Sequence, residues 1–108
     1  MAHYLVQVGY TSEAWATLLK NPQNRLEAVR PAVEQMGGSI DGAWFAFGEH
    51  DVVMVLQMPD NTAAAAIAVA FAAGGALRSC KTTPLLSLEE GLEAVRRAAG
   101  SSYRPPSG

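Results

Sequence analysis

The sequence predicts an α+β domain, a ferredoxin-like β-α-β-β-α-β antiparallel sheet followed by an extra C-terminal helix. Three observations carry this prediction. Short β-rich runs alternate with helix-length segments, and capping or turn residues stand at the junctions. Two of the β-rich runs follow one another directly, joined by Gly48-Glu49-His50-Asp51, a connection of hairpin length containing glycine.

Each element has its own justification. Tyr4 to Tyr10 reads Y-L-V-Q-V-G-Y, with Tyr4, Val6 and Val8 on one face and Leu5 and Gln7 on the other. Thr11 can cap a helix through Leu19, with Glu13 in its favourably charged first turn. Asn21-Pro22 offers a cap and a first helical residue for a second helix running to Met36. Leu26, Val29, Val33 and Met36 form its apolar stripe, Pro31 predicts a kink within it, and Gly37-Gly38 ends it.

Ile40 to Phe47 is the second strand, broken or bulged at Gly42, and Val52 to Met58 is the third. Pro59-Asp60-Asn61 stops that strand and caps a helix over Thr62 to Ala73, which Gly74-Gly75 closes. Leu77 to Thr83 is a fourth strand, ending before Pro84. Ser87-Leu88-Glu89-Glu90 matches a capping box and starts a last helix to about Ala99. Residues 1–99 thus read as one domain, and the Pro- and Gly-rich stretch 100–108 as a disordered tail.

Composition bounds the function. The chain has 108 residues, 49% hydrophobic and 17% charged, with a net charge of −2. That suits one core and excludes a disordered chain or a basic nucleic-acid arm, so nucleic acid is not an expected partner. The single Cys80 excludes an internal disulfide or a thiolate zinc cluster within one chain, and no metal site or cofactor is expected. No basic stretch leads into an apolar run at the start, and no run approaches the roughly 20 apolar residues that span a bilayer. A cytoplasmic protein without a membrane partner is expected.

The third strand is apolar on both faces. Val52, Met54, Leu56 and Met58 alternate with Val53, Val55 and Gln57, whereas helices cover only one face of such a sheet. A lone chain would expose the other face, and pairing two chains face to face would remove it from water. The segment from Thr62 to Leu77 carries no charged side chain. One of its stripes should pack on the sheet, leaving a bare alanine face that is either exposed or buried against another subunit.

These features resemble the GYD-domain family. The resemblance rests on the opening Y-L-V-Q-V-G-Y-T, R-L-E-A-V at Arg25–Val29 and the Gly37-Gly38 stop. It continues through F-G-E-H-D-V-V at Phe47–Val53, M-P-D-N at Met58–Asn61 and the S-C-K-T-T strand, covering residues 2 to about 98. It implies a dimeric α/β-barrel arrangement of ferredoxin-like units and names no reaction. In this chain His50 stands at the tyrosine of the family's Gly-x-Tyr-Asp hairpin.

The residues able to do chemistry are few. Glu49-His50-Asp51 is the densest ionisable cluster, where His50 is the candidate acid/base residue and Asp51 either orients it or hydrogen-bonds hairpin amides. Gln7 and Gln57 are polar positions on the open sheet face. If they meet, the two amides either bind a small polar ligand inside a dimer barrel or hydrogen-bond each other. Lys81, with Thr83 on its face and Arg78 and Thr82 opposite, can hold an anion or protect an edge strand from further pairing. Trp44 is a candidate cavity wall, and Trp15, Phe45 and Phe47 are expected in the core or lining a cavity. Cys80 reads as a small buried thiol.

The expected function is a small homo-oligomeric protein that binds a small molecule in a cavity at the sheet and dimer interface. It can be a cofactor-independent enzyme, a non-catalytic metabolite-sensing module or a structural assembly subunit.

Overall fold

The computed structural model describes residues 1–107. The elements are β1 (Ala2–Tyr10), α1 (Ser12–Lys20), α2 (Arg25–Gln35), β2 (Ser39–Phe45), β3 (Val52–Met58), α3 (Asn61–Ala73), β4 (Leu77–Leu85) and α4 (Leu88–Ala99). The four strands form one antiparallel sheet in the order β2-β3-β1-β4. This is the expected split βαβ pattern with the added helix, and β4 is an edge strand as its Arg and Lys suggested.

Alternation along β1 and β3 decides which side holds the core. Tyr4, Val6 and Val8 of β1 and Met54, Leu56 and Met58 of β3 are buried together under Val33 of α2 and Ala64 and Ile67 of α3. Their neighbours Leu5, Gln7, Val53, Val55 and Gln57 lie on the opposite, helix-free face. The Tyr4 hydroxyl donates to Asn61 Oδ1 at the start of α3, tying that helix to the central strand.

Helix starts follow the capping residues. Thr11 accepts from the Ala14 N–H, Asp60 from the Ala63 N–H, and Ser87 and Glu90 form a reciprocal capping box. One start differs from expectation. Asn24 rather than Asn21 caps α2, accepting from the Leu26 N–H, while the Asn21 N–H donates to Thr17 O and closes α1. A connection thus occupies the residues expected to form the helix's first turn, and the helix then passes through Pro31 unbroken.

Three strand details also differ. β4 runs through Pro84 to Leu85, with Pro84 opposite Tyr4; on an edge strand the missing N–H need not leave a ladder partner unpaired. β2 stops at Phe45 instead of Phe47, and its register with β3 shifts between Ile40 and Gly42, making Asp41 the bulged residue. Gly42 leaves room for its neighbour, because a Cβ there would stand 2.6 Å from the Trp44 indole. Trp44, Phe45 and Phe47 are not core: they are 58%, 63% and 102% exposed, on the edge strand and the connection after it, although Trp44 and Phe45 border a second, open pocket with Leu26 and Val52.

α3 packs as expected along one stripe, burying Ala64 and Ile67 with Phe71 against the core, and turns Ala65, Val69 and Ala72 outward. α4 buries no side chain: Leu88, Leu92 and Val95 are all exposed along one stripe. Glu93 pairs with Arg96 and Arg97 on its polar side. Residues 100–107 carry no helix or strand, and Gly108 of the expected tail lies outside the described residues.

Candidate functional site

A cavity of about 310 Å³ opens between α2, α3 and the helix-covered face of the sheet. Val8 and Met54 form its floor, Leu26, Val29 and Ala32 of α2 one wall, and Phe71 of α3 the other. It exists because the residues facing it are small. Ala32, Ala43, Ala70, Gly74 and Ala76 all border it, and larger side chains at those positions would fill the space.

Two polar side chains stand on this apolar lining, Tyr10 at the end of β1 and Arg25 at the first residue of α2. Burial raises the Tyr10 phenol above its ordinary pKa, and the positive charge of the adjacent Arg25 guanidinium opposes that shift. Among the described residues Arg25 forms no ion pair with a carboxylate. The phenol therefore stays protonated at neutral pH, beside a guanidinium that can take an anionic group.

Behind Tyr10 lies Asp51. Its Oδ2 accepts from the Tyr10 N–H at 2.8 Å and from Trp15 Nε1 at 3.3 Å, and pairs with Arg78 Nη2 at 3.5 Å. Arg78 Nη2 also donates to Glu49 O, and the Trp15 ring meets the Tyr10 ring edge-on at 5.3 Å. Alternation alone would put Arg78 with Thr82 on the helix-covered face. The register shift at Gly9/Tyr10 makes Arg78 the extra residue of β4, so it reaches across Gly9 to Asp51.

The other residues singled out in the sequence are dispersed. His50 is half-buried in the connection before β3 and does not line the cavity; no hydrogen bond joins it to Asp51 among the described residues. Gln7 and Gln57 share the helix-free face but do not meet. Gln7 lies opposite Val53 and Lys81, whereas Gln57 lies opposite His3. Gln57 Nε2 instead donates to both Asp41 carboxylate oxygens at 3.0 and 3.2 Å, and His3 Nε2 approaches Asp41 at 3.3 Å. That small polar cluster depends on the bulge, and Gly42 was its only signal in the sequence. Lys81 is exposed beside Gln7, and Trp44 lies on the same face opposite Val53.

Cys80 is half-buried on the helix-covered face, where burial raises its thiol pKa. No three His, Cys, Asp or Glu side chains are grouped to hold a metal among the described residues. No helix there is long and apolar enough to cross a membrane.

Sequence and fold comparisons meet this geometry. A family model described as GYD domain matches residues 4–95, from β1 into α4. The chain belongs to the GYD-domain family. No curated protein matches it. Among solved structures, this GYD-domain chain is similar to one titled "crystal structure of FFRP-DM1", with a TM-score of 0.51 at 11% identity. The alignment covers 80% of this chain and 100% of that one, and it speaks to the fold alone.

Proposed function

We propose that this GYD-domain protein binds a small molecule in the cavity between α2, α3 and the sheet, and that it does so as a homodimer joined through the helix-free face. The observation carrying the first half is the cavity itself. It is concave and mostly apolar, with two convergent polar groups, and its volume falls at the lower end of ordinary ligand sites. The dimer is supported by Leu5, Val53, Val55 and Trp44, which no helix of the same chain covers.

The polar groups favour binding or sensing over catalysis. A guanidinium does not give up its proton in a protein, and the raised phenol of Tyr10 does not supply a base at neutral pH. The candidate base His50 is not on the cavity wall. This reading puts the ligand under the helices, in the cavity bordered by Tyr10 and Arg25.

Native mass spectrometry with a metabolite library tests both halves. A dimer that retains or gains one small molecule per chain is expected. A monomer that takes up nothing, with no rise in melting temperature across the library, overturns the reading.

A further inference from the structure

We infer that the cavity takes a monocarboxylate with a hydrocarbon body, its headgroup held by Arg25 and Tyr10 and its body lying on Val8, Met54, Val29 and Phe71. This rests on the binding reading above and adds the ligand's chemical class.

The lining selects by charge first. It contains one cation, Arg25, and no Asp or Glu, so an amine is repelled and an anion is balanced. Asp51, a carboxylate whose charge acts on the phenol, is engaged by the Tyr10 N–H, Trp15 and Arg78 on the far side of Tyr10. One guanidinium matches one negative charge, and its planar fork presents two parallel N–H groups to a carboxylate. The Tyr10 hydroxyl, kept protonated by its burial, is a further donor at the same end. A phosphate dianion would bring a second charge that no other cation of the lining meets.

The rest of the lining selects by shape. Apart from Arg25 and Tyr10 it is aliphatic, aromatic, thioether or glycine, which rewards a body without hydrogen-bonding groups. At the ~30 Å³ that one water-sized group occupies in a liquid, 310 Å³ holds about ten non-hydrogen atoms. Octanoate has that size.

The test compares octanoate, 1-octanol and octylamine on the full chain, using the carbon-labelled methyl of Met54 on the cavity floor as the NMR reporter. Octanoate is expected to shift that resonance and to bind at least tenfold tighter than 1-octanol, with octylamine weakest. Arg25→Met should remove the preference for octanoate, and Ala70→Trp should block both ligands by filling the space. Equal binding of octanoate and 1-octanol to the wild type would overturn the ligand class while leaving the cavity as a binding site. An octanoate preference that survives both Arg25→Met and Tyr10→Phe would overturn the assigned headgroup contacts. No Met54 response to any of the three molecules would overturn the binding reading and this inference together.

Discussion

The Asp51 carboxylate accepts the backbone N–H of Tyr10 at 2.8 Å, extending the β1–β3 contact one step beyond the end of the ladder. The last paired residues of the two strands are Val8 and Val52, and the Asp51 N–H donates to Val8 O just before them. Past that point β1 has no β3 neighbour, so a side chain takes over the ladder's role. Removing it leaves a donor in a buried residue without its partner, and such losses cost about 1–3 kcal/mol. Asp51→Ala should therefore lower stability by that amount in urea unfolding. Asp51→Asn, which keeps an acceptor oxygen, should lower it by less. Equal losses in the two variants would mean that the bond to Tyr10 is not what Asp51 contributes.

Arg78→Gln provides the contrast. The Arg78–Asp51 pair spans 3.5 Å and the guanidinium side chain is 47% exposed, so solvent screening should leave it worth about 0–1 kcal/mol. A loss matching that of Asp51→Ala would place the energy in the ion pair instead of the bond to the Tyr10 N–H.

Tyr10 carries a pH signature. Its phenol is raised in the folded chain, chiefly by burial, so the folded state holds the proton more tightly than the unfolded state does. The resulting stabilisation is complete below the unfolded value of about 10 and is lost as pH rises through the folded one. Unfolding free energy should thus fall above about pH 10, and Tyr10→Phe should flatten that fall. An unchanged slope in the variant would assign the alkaline loss to other groups.

Much of the fold was legible because its signals are local. Val52–Met58 needs only a short run of β-forming apolar residues between the Gly48–Asp51 connection and the Pro59 stop, and Thr11, Asp60 and Ser87 each cap a helix using residues within three positions. The start of α2 reads too early in the sequence for the same reason: Asn21-Pro22 has the residue types of a helix start, but Asn24 makes the capping bond to the Leu26 N–H, and local residue types alone do not register that offset. The site was not legible. Tyr10 and Arg25 come together only once the start of α2 borders the same cavity as the end of β1, and Asp51 finds Arg78 only because a bulge turns that side chain over. The alanines of α2 and α3 were visible in the sequence as small residues. Their effect, a gap between two helices and a sheet, depends on which of them face one another.

The helix-free face yields a prediction about assembly. Val55 sits at its centre, opposite Leu5 on one side and Gly42 on the other. Val55→Asp would bury an unpaired carboxylate if two such faces meet, at a cost of several kcal/mol. Sedimentation at micromolar concentration should find the wild type dimeric and the variant monomeric, with the variant still folded because Val55 is outside the core cluster. A wild-type monomer would sink the dimer.

α4 extends that argument. Its stripe of Leu88, Leu92 and Val95 has no cover among the described residues of its own chain, although the capping box and the Glu93–Arg97 pair give it good local helix signals. A 12-residue helix without packing is marginal in water, because propensity alone barely offsets the cost of nucleation. It emerges from β4, at one edge of the sheet, while the exposed Trp44 lies on the helix-free face of β2 at the opposite edge, with Phe47 on the connection after it. A two-fold axis parallel to the strands would set the β4 edge of one protomer over the β2 edge of its partner, so that both apolar patches are covered twice by one symmetry operation. Amide exchange in α4 should consequently be slow in the wild-type dimer and fast in the Val55→Asp monomer. Leu92→Glu should weaken the dimer without altering the melting of that monomer. Fast exchange of α4 in an intact dimer would show that the helix stays uncovered, and would restrict the interface to the sheet.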